Sequence, residues 1–351
     1  MDRTKTKRLI VGSKQLGGGA PITVQSMCNT KTEDVRATLE QIRRLEAAGC
    51  DIVRLAVPDM AAANALREIR SGTEMPLVAD IHFDYRLALE AARAGVDKIR
   101  INPGNIGAKE RVGAVAKACR ERGIPIRIGV NGGSLEKELL EKYAGPTPQA
   151  MVESAEKHIE LLNMFDFDDI CLSLKASDVS TTVAAYRLAS ERFSYPLHLG
   201  VTEAGTAYTG LVRSSVGIGT LLCEGIGDTL RVSLTADPVE EVAAGIAILK
   251  AADLRHGGVK FISCPSCGRC GIDLISTAAE AETLLSALPY DITVAVMGCE
   301  VNGPGEAKQA DYGIAGGKGD GVLFKRGQVV GRAPASELAK ALLEMIRADL
   351  G

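Results

Sequence analysis

Eight short β-branched runs, each followed by a polar or glycine-containing loop and then an amphipathic stretch, fill the first two-thirds of this 351-residue chain. Alternation of that kind is satisfied by a parallel sheet whose faces are covered by helices. The runs fall at 21–25, 52–56, 76–81, 98–101, 125–130, 170–174, 197–201 and 230–234. Eight strands in about 235 residues match a (β/α)8 TIM barrel, an α/β fold. Between them, 34–48, 84–94, 108–122, 149–163 and 238–252 carry apolar residues at three- and four-residue spacing. Gly49, Gly95 and Gly123 follow three of these stretches, where helix C-caps favour glycine. The rival fold is a doubly wound open sheet, which is disfavoured because no Gly-x-Gly-x-x-Gly follows the first run.

After His256-Gly-Gly258 the pattern changes. A strand at 259–263, a thiol loop, a helix at 277–288, a strand at 292–297 and a second cysteine loop come first. A glycine-rich stretch, 313–321, then leads to a hairpin and a final helix at 335–350. We therefore expect two domains, the barrel over residues 1–256 and a small α+β domain over 257–351.

A hydrophobic content of 46% is ample for a large core, and a net charge of −3 gives no global reason to bind nucleic acid or an anionic membrane. The basic N-terminus offers only Leu9-Ile-Val11 as an apolar run, far short of a signal-peptide core, and no later segment approaches a membrane span. A cytoplasmic location is expected. Nine cysteines without a secretion signal then argue for burial or metal binding rather than a disulfide framework. Cys28, Cys50, Cys119, Cys171 and Cys223 stand singly among apolar or small residues and read as small buried hydrophobes.

Charged residues gather at the ends of the strands, where a barrel carries its chemistry. Arg54 lies in the second strand, Arg100 and Asn102 at the end of the fourth, Arg127 and Asn131 at the fifth, Lys175 at the sixth, and Arg231 and Ser233 at the eighth. Period-two geometry puts Arg100 with Asn102, Arg127 with Asn131, and Arg231 with Ser233 on common faces. A lone basic residue there is most simply a structural ion pair. A convergent ring, however, requires paired acids or an anionic ligand, since an unpaired buried charge costs several kcal/mol. Asp80, Asp237 and Glu203 are candidate partners, and the surplus suggests a phosphate or diphosphate held by forked guanidinium contacts. At the same level, Asp80 with His82, and His198 with Thr202-Glu203, are placed to orient a substrate or move protons.

The remaining cysteines cluster. Cys264-Pro-Ser-Cys267-Gly-Arg-Cys270 precedes Gly298-Cys299-Glu-Val-Asn-Gly-Pro-Gly-Glu306. A Cys-x-x-Cys pair faces one ion from a single loop, and Cys299 supplies a third position from another. Structural zinc and a redox or Lewis-acid centre both remain open on the spacing alone. Thioredoxin-like exchange is disfavoured by the absence of a thioredoxin-type βαβ context.

Together these residues resemble the 4-hydroxy-3-methylbut-2-enyl diphosphate synthase family, iron–sulfur enzymes of the non-mevalonate isoprenoid pathway. The resemblance runs in order along essentially the whole chain. It includes Val24-Gln-Ser-Met27, Asp51-Ile-Val-Arg54, Ala79-Asp-Ile-His82 and Ile99-Arg-Ile-Asn-Pro-Gly104. Further along it takes in Arg127-Ile-Gly-Val-Asn-Gly-Gly-Ser-Leu-Glu136, His198-Leu-Gly-Val-Thr-Glu203, Arg231-Val-Ser-Leu-Thr235 and Asn302-Gly-Pro-Gly-Glu306. It implies a [4Fe-4S] cluster on Cys264, Cys267 and Cys299, with Glu306 as an exchangeable fourth ligand. It also implies substrate contacts at Arg54, Arg100, Arg127, Asn131, Lys175 and Ser233, and flavodoxin or ferredoxin as electron donor. The chain resembles the family's shorter bacterial form. Cys270 departs from the family pattern, either as a spectator thiol or as a ligand that displaces Glu306.

The implied reaction is reductive ring opening and dehydroxylation of 2-C-methyl-D-erythritol 2,4-cyclodiphosphate. In it, Glu203 is the candidate proton donor, with His82 and Asp80 as positioning groups. Topology adds a constraint. The helix after the eighth strand spans about 22 Å away from the mouth, whereas the connection that follows, about four residues, reaches roughly 14 Å. The second domain is therefore expected to cover the mouth of a neighbouring barrel, in a head-to-tail homodimer with active sites in trans. Gly303–Gly305 and 316–321 are read either as hinges or as ordinary tight turns.

Overall fold

A computed structural model describes residues 3–299 and 307–351. Glu306 and 303–305 thus lie outside the described residues. The chain divides into two compact units, Met1–Arg255 and His256–Gly351.

The first unit begins with an antiparallel hairpin, β1 (Leu9–Val11) and β2 (Lys14–Leu16). Eight parallel strands follow. These are β3 (Thr23–Met27), β4 (Ile52–Ala56), β5 (Leu77–Asp80), β6 (Lys98–Ile101), β7 (Ile126–Asn131), β8 (Ile170–Lys175), β9 (His198–Leu199) and β10 (Thr229–Leu230). Their order, β8-β7-β6-β5-β4-β3-β10-β9, is closed by a parallel bridge between Leu172 and Leu197. The sheet is a TIM barrel. Helices α1 (Val35–Ala47), α2 (Met60–Ser71) and α3 (Tyr85–Ala94) follow β3, β4 and β5. The short α4 (Pro103–Ile106) and then α5 (Lys109–Arg120) follow β6, and α6 (Lys137–Lys142) with α7 (Pro148–Asn163) follow β7. Finally α8 (Val179–Arg192), α9 (Ala207–Cys223) and α10 (Pro238–Ala251) complete the ring.

Local chemistry sets these boundaries. Asp34, Asp59, Asp84, Thr147, Asp178 and Asp237 each cap a helix by accepting a hydrogen bond from a first-turn N–H. Gly95 ends α3 at φ 89°, a conformation that a side chain would strain. Two strands are shorter than their apolar runs. β9 and β10 each pair over only two residues, and the ladder stops where the chain turns toward the mouth.

The hairpin has no counterpart in the sequence reading, which treats Leu9–Val11 only as an apolar run. Leu9, Val11 and Leu16 are buried and pack against Ile52, Val78 and Cys171 near the starts of β4, β5 and β8. They plug the N-terminal end of the barrel.

The second unit is a five-stranded sheet in the order β11 (Val259–Ser263), β12 (Ile292–Met297), β13 (Tyr312–Gly316), β14 (Asp320–Lys325) and β15 (Gln328–Pro334). The first three strands are parallel and the last two antiparallel. α11 (Leu274–Leu285) and the C-terminal helix Leu338–Leu350 pack on it through Leu274, Leu285, Leu338, Leu342 and Ile346. α11 starts three residues before the expected 277 because Asp273 is its cap. The glycine-rich stretch also differs from a simple loop. Tyr312–Gly316 is a buried strand, and a methyl group at Gly313 would collide with the Phe324 ring and stand 2.7 Å from the Ala295 carbonyl oxygen. Gly316 pairs with Gly321 across a tight hairpin turn.

Candidate active site

The parallel ladder brings the strand-end side chains into one cavity of about 290 Å³. Arg54, Asp80, His82, Arg100, Arg127, Asn131, Lys175, Arg231 and Ser233 line it, with Gly129, Ser173 and Thr202. Register explains the convergence: Asp80 is paired with Arg100, Arg100 with Arg127, and Asn131 with Lys175 on successive strands. Two glycines make room. A methyl group at Gly129 would stand 2.7 Å from Arg100 Nε, and one at Gly200 would collide with Lys175 Nζ. The guanidinium and the ammonium therefore cross neighbouring strands at positions that only glycine leaves open.

The acids are fewer than the cations. Asp80 Oδ1 accepts from Arg100 Nη1 at 3.0 Å, while Oδ2 lies 3.7 Å from Arg54 Nε and 3.6 Å from His82 Nε2. Burial pushes the Asp80 carboxyl up, but Arg54, the His82 contact, Arg100 and Arg127 outweigh it and hold it far below the usual carboxylate range. Arg231 is paired by Glu241, at 3.2 Å from both Nε and Nη2. Glu241 is buried in the first turn of α10 and escaped the sequence reading, which offered Asp237 instead. Asp237 caps α10 and pairs with Arg44 at 2.7 Å, outside the cavity lining. Glu203 makes no ion pair among the described residues. It lines an adjoining cavity of about 430 Å³ that shares Asn131 and Thr202 with the first. Its φ of 53° is a strained setting for a residue with a side chain.

The surplus positive charge shows in the cations themselves. Burial, then Arg127, Arg231, Arg54 and Arg100, lower the Lys175 ammonium well below its ordinary value. Burial and Arg100 push Arg127 down to about 10, and its Nε and Nη1 have no partner among the described residues. Below the cavity lies Lys98, fully buried and two residues before Arg100 on the same face of β6, with no partner for its Nζ among the described residues. Period-two reading of β6 finds it once Arg100 is known to point inward. The arrangement is a cradle for a compact polyanion.

Two expected members stand apart. The Asn102 side chain caps α4, accepting from Gly104 N at 3.1 Å, and is absent from the cavity lining. His198 is fully buried beside Thr229, 3.4 Å from its Oγ1, and also does not line the cavity. Burial, then Arg127, Lys175 and Lys98, hold its imidazole well below its ordinary pKa, so it is neutral.

In the second unit the thiols sit on two loops joined by backbone hydrogen bonds. Cys264 N donates to Val296 O at 3.3 Å and Gly271 N to Gly298 O at 2.9 Å. Gly298 N donates to Cys264 Sγ at 3.2 Å, the kind of bond that steadies a thiolate. Cys264, Cys267, Cys270 and Cys299 are all free, and Cys267 is exposed. Among the described residues no three His, Cys, Asp or Glu side chains are drawn close enough to hold a metal ion. The donor set is nonetheless soft, reduced and confined to two stitched loops, which suits an iron–sulfur group. Cys270 leans into the apolar core. A methyl group at Gly298 would stand 2.5 Å from its Sγ and 3.1 Å from Leu274, and its Sγ accepts from Cys267 N at 3.4 Å.

Known proteins show the same two parts. Dihydropteroate synthase from Yersinia pestis superposes with a TM-score of 0.51 at 15% identity, covering 71% of this chain and 99% of that one, a likeness of the barrel fold alone. The 4-hydroxy-3-methylbut-2-en-1-yl diphosphate synthase (flavodoxin) of Geobacter sulfurreducens is 58% identical over 341 residues, with 97% of each chain covered. The enzyme of the same name from Clostridium perfringens is 56% identical over 346 residues, with 99% of each covered. Residues 6–246 match the GcpE TIM-barrel domain and residues 260–348 the GcpE protein C-terminal domain. The chain belongs to the GcpE family of 4-hydroxy-3-methylbut-2-en-1-yl diphosphate synthases.

Proposed function

We propose that the cationic cavity of the barrel binds the diphosphate of 2-C-methyl-D-erythritol 2,4-cyclodiphosphate, and that the thiol loops hold the redox group that reduces it. The chain is an oxidoreductase of non-mevalonate isoprenoid synthesis. Its reaction opens the cyclic diphosphate and, with two electrons and two protons, releases one oxygen as water to give 4-hydroxy-3-methylbut-2-enyl diphosphate. The electrons come from flavodoxin. The observation that carries the substrate assignment is five cations, Arg54, Arg100, Arg127, Lys175 and Arg231, converging on one cavity with, among the described residues, Asp80 and Glu241 paired to them.

Each part of the cavity has a task in this reading. Forked guanidinium contacts from Arg54, Arg100 and Arg127 grip the phosphoryl oxygens and stabilise the oxygen that leaves when the ring opens. Asp80 keeps Arg54 and Arg100 aimed, and Glu241 does the same for Arg231. Glu203, in the adjoining cavity beside Thr202, delivers a proton to the departing oxygen. A [4Fe-4S] cluster on Cys264, Cys267 and Cys299, with Glu306 as its oxygen ligand, supplies electrons and a Lewis-acidic iron when bound. Thiols that must stay free for this purpose suit a reducing cytoplasm.

The covalent tether favours an active site shared between two copies. Arg255 pairs with Asp51 at 3.1 Å and donates to the Gly49 carbonyl at 3.3 Å, which fastens the chain near the start of β4, the end of the barrel remote from the mouth. Only His256–Gly258 then remain before β11, about 10 Å of chain. A barrel therefore serves as the substrate-binding domain for the cluster domain of a partner copy, in a head-to-tail homodimer.

Anaerobic reconstitution with iron and sulfide, followed by an assay on the cyclic diphosphate with reduced flavodoxin, tests the reaction. A brown protein with flavodoxin-dependent turnover is expected; a colourless protein, or turnover without reductant, overturns the assignment. Mixing Cys299→Ser and Arg127→Met chains tests the shared site. Restored activity in verified mixed dimers is expected, and its absence would return both halves to one chain.

A further inference from the structure

Two loops beside the mouth, 102–107 after β6 and 132–136 after β7, meet a single buried histidine. His158 on α7 is 5% exposed, and its Nε2 stands 3.2 Å from Glu136 Oε1. Ser154, one helical turn earlier, donates its hydroxyl to the same oxygen at 3.1 Å. On its other side the imidazole lies against the α4 turn, where a methyl group at Gly104 would stand 3.0 Å from His158 Cε1. Gly104 N is itself bound to Asn102 Oδ1. Glu136 anchors its own loop by accepting from Leu139 N and Leu140 N at 3.0 and 3.1 Å, the first turn of α6. One imidazole thus ties together the continuations of the strands that carry Arg100 and Arg127 with Asn131.

The carboxylate is held in its charged form. Burial raises the Glu136 carboxyl, but the His158 contact, its own backbone N–H and the Ser154 hydroxyl outweigh it and keep it well below the usual range. Its other oxygen is shielded and has no donor among the described residues, so His158 and Ser154 hold this carboxylate in place. The Glu136 side chain is 33% exposed, whereas the imidazole is buried, so the clamp is held mainly by the packing of His158 and by the two donors on Oε1.

We propose that Glu136 and His158 are positioning residues for diphosphate binding: without lining the cavity, they lock the β6 and β7 loops so that Arg100, Arg127 and Asn131 meet the anion in one geometry. The proposal rests on the reading of that cavity as the diphosphate site. Loosening the clamp weakens chiefly the grip on the non-reacting phosphoryl oxygens, which is common to ground and transition states, while the guanidiniums still reach the departing oxygen, so it acts mainly on KM.

The test uses the reconstituted holoenzyme, with variants matched for cluster absorbance and thermal midpoint. Glu136→Gln and His158→Leu are expected to raise KM for the cyclic diphosphate about tenfold and to change kcat by no more than about twofold. Gly104→Ala, which pushes on the same ring, should shift KM in the same direction. His158→Gln offers an amide N–H to Glu136 and should recover most of the loss. Unchanged KM in Glu136→Gln and His158→Leu overturns the proposal, and so does better function in His158→Leu than in His158→Gln, which would mean that the ring only fills space. Arg127→Met separates the two readings. If it too leaves KM and kcat intact, the diphosphate assignment itself falls; if it is crippled while the clamp variants are normal, only the positioning role is lost.

Discussion

The barrel mouth and the thiol loops assemble their side chains by opposite means. In the barrel, hydrogen-bonded strands fix each cation in register, and the cost of crowding is visible in the depressed Lys175 and Arg127. In the second unit, two loops are stitched by a few backbone bonds, and no three metal-binding side chains are gathered among the described residues. The barrel site is built before its ligand arrives.

The largest effects should separate the two regions cleanly. Cys264→Ser is expected to abolish both the visible absorption of the reconstituted protein and its turnover, since it removes a proposed ligand and the sulfur that accepts the Gly298 N–H. Arg127→Met should keep the absorption and lower kcat/KM by about 100- to 1,000-fold, the loss typical of removing one donor to developing charge. A cluster lost in the Arg127 variant would mean that the two regions are not independent. Cys270→Ser belongs to the same series. Its thiol faces Leu274 and Gly298, and the expected outcome is retained absorption and retained turnover.

Next in size is the charge buried beneath the mouth. Burial, reinforced by Arg127 and Arg54, pushes Lys98 down to about 8, against about 10.4 in an unfolded chain. Between those values the unfolded state binds more protons, so stability rises with pH across that window; below pH 8 the native state carries the charge at a cost of about 3 kcal/mol. Lys98→Met should therefore stabilise the barrel by up to that amount at pH 7, with the gain shrinking toward a packing remainder above pH 10. Urea unfolding at several pH values measures it. A destabilised variant at pH 7 would mean that Lys98 is paired in solution.

Much of this was legible in the sequence because barrels obey two periodicities. The β-branched runs gave the eight strands, and alternate positions put Arg127 and Asn131 on one inward face. What stayed hidden depends on the third dimension. Glu241 sits on a helix, far from Arg231 by the rule for strands, and only the packing of α10 against β3 and its neighbours brings it in. Asn102 keeps the right parity but leaves the strand one residue earlier, so its side chain turns to cap α4. Leu9–Val11 is too short to signal its role, since a plug is recognised by the hole it fills. The glycine-rich stretch 313–321 carries no strand signal because strands seldom tolerate glycine, yet Gly313 lies in one, where Phe324 leaves space for nothing larger.

Gly129 tests how far the strand-built site depends on empty space rather than on charge. Gly129→Ala puts a methyl group 2.7 Å from Arg100 Nε, and the guanidinium must swing away from Asp80 or the strand must shift. A rise in KM of about tenfold, with cluster absorption unchanged, is expected from one displaced charge-assisted contact. Normal kinetics in that variant would show that Arg100 has a second productive arrangement, and that the barrel mouth is less rigid than its ladder suggests.

The smallest effect is carried by protons. Lys175 is lowered by burial and by four surrounding guanidiniums, and an anionic diphosphate in the cavity opposes the contribution of all four. Its pKa must therefore rise on binding, and a group whose pKa rises takes up protons between the free and bound values. Calorimetric titration in buffers of different ionisation enthalpy should record an uptake of a fraction of a proton, with affinity falling as pH climbs through that interval. Lys175→Met should abolish the uptake while retaining some binding. Proton release instead would require an acid at the mouth to ionise on binding an anion, which the cationic surroundings of Asp80 do not allow, since that carboxylate is already ionised.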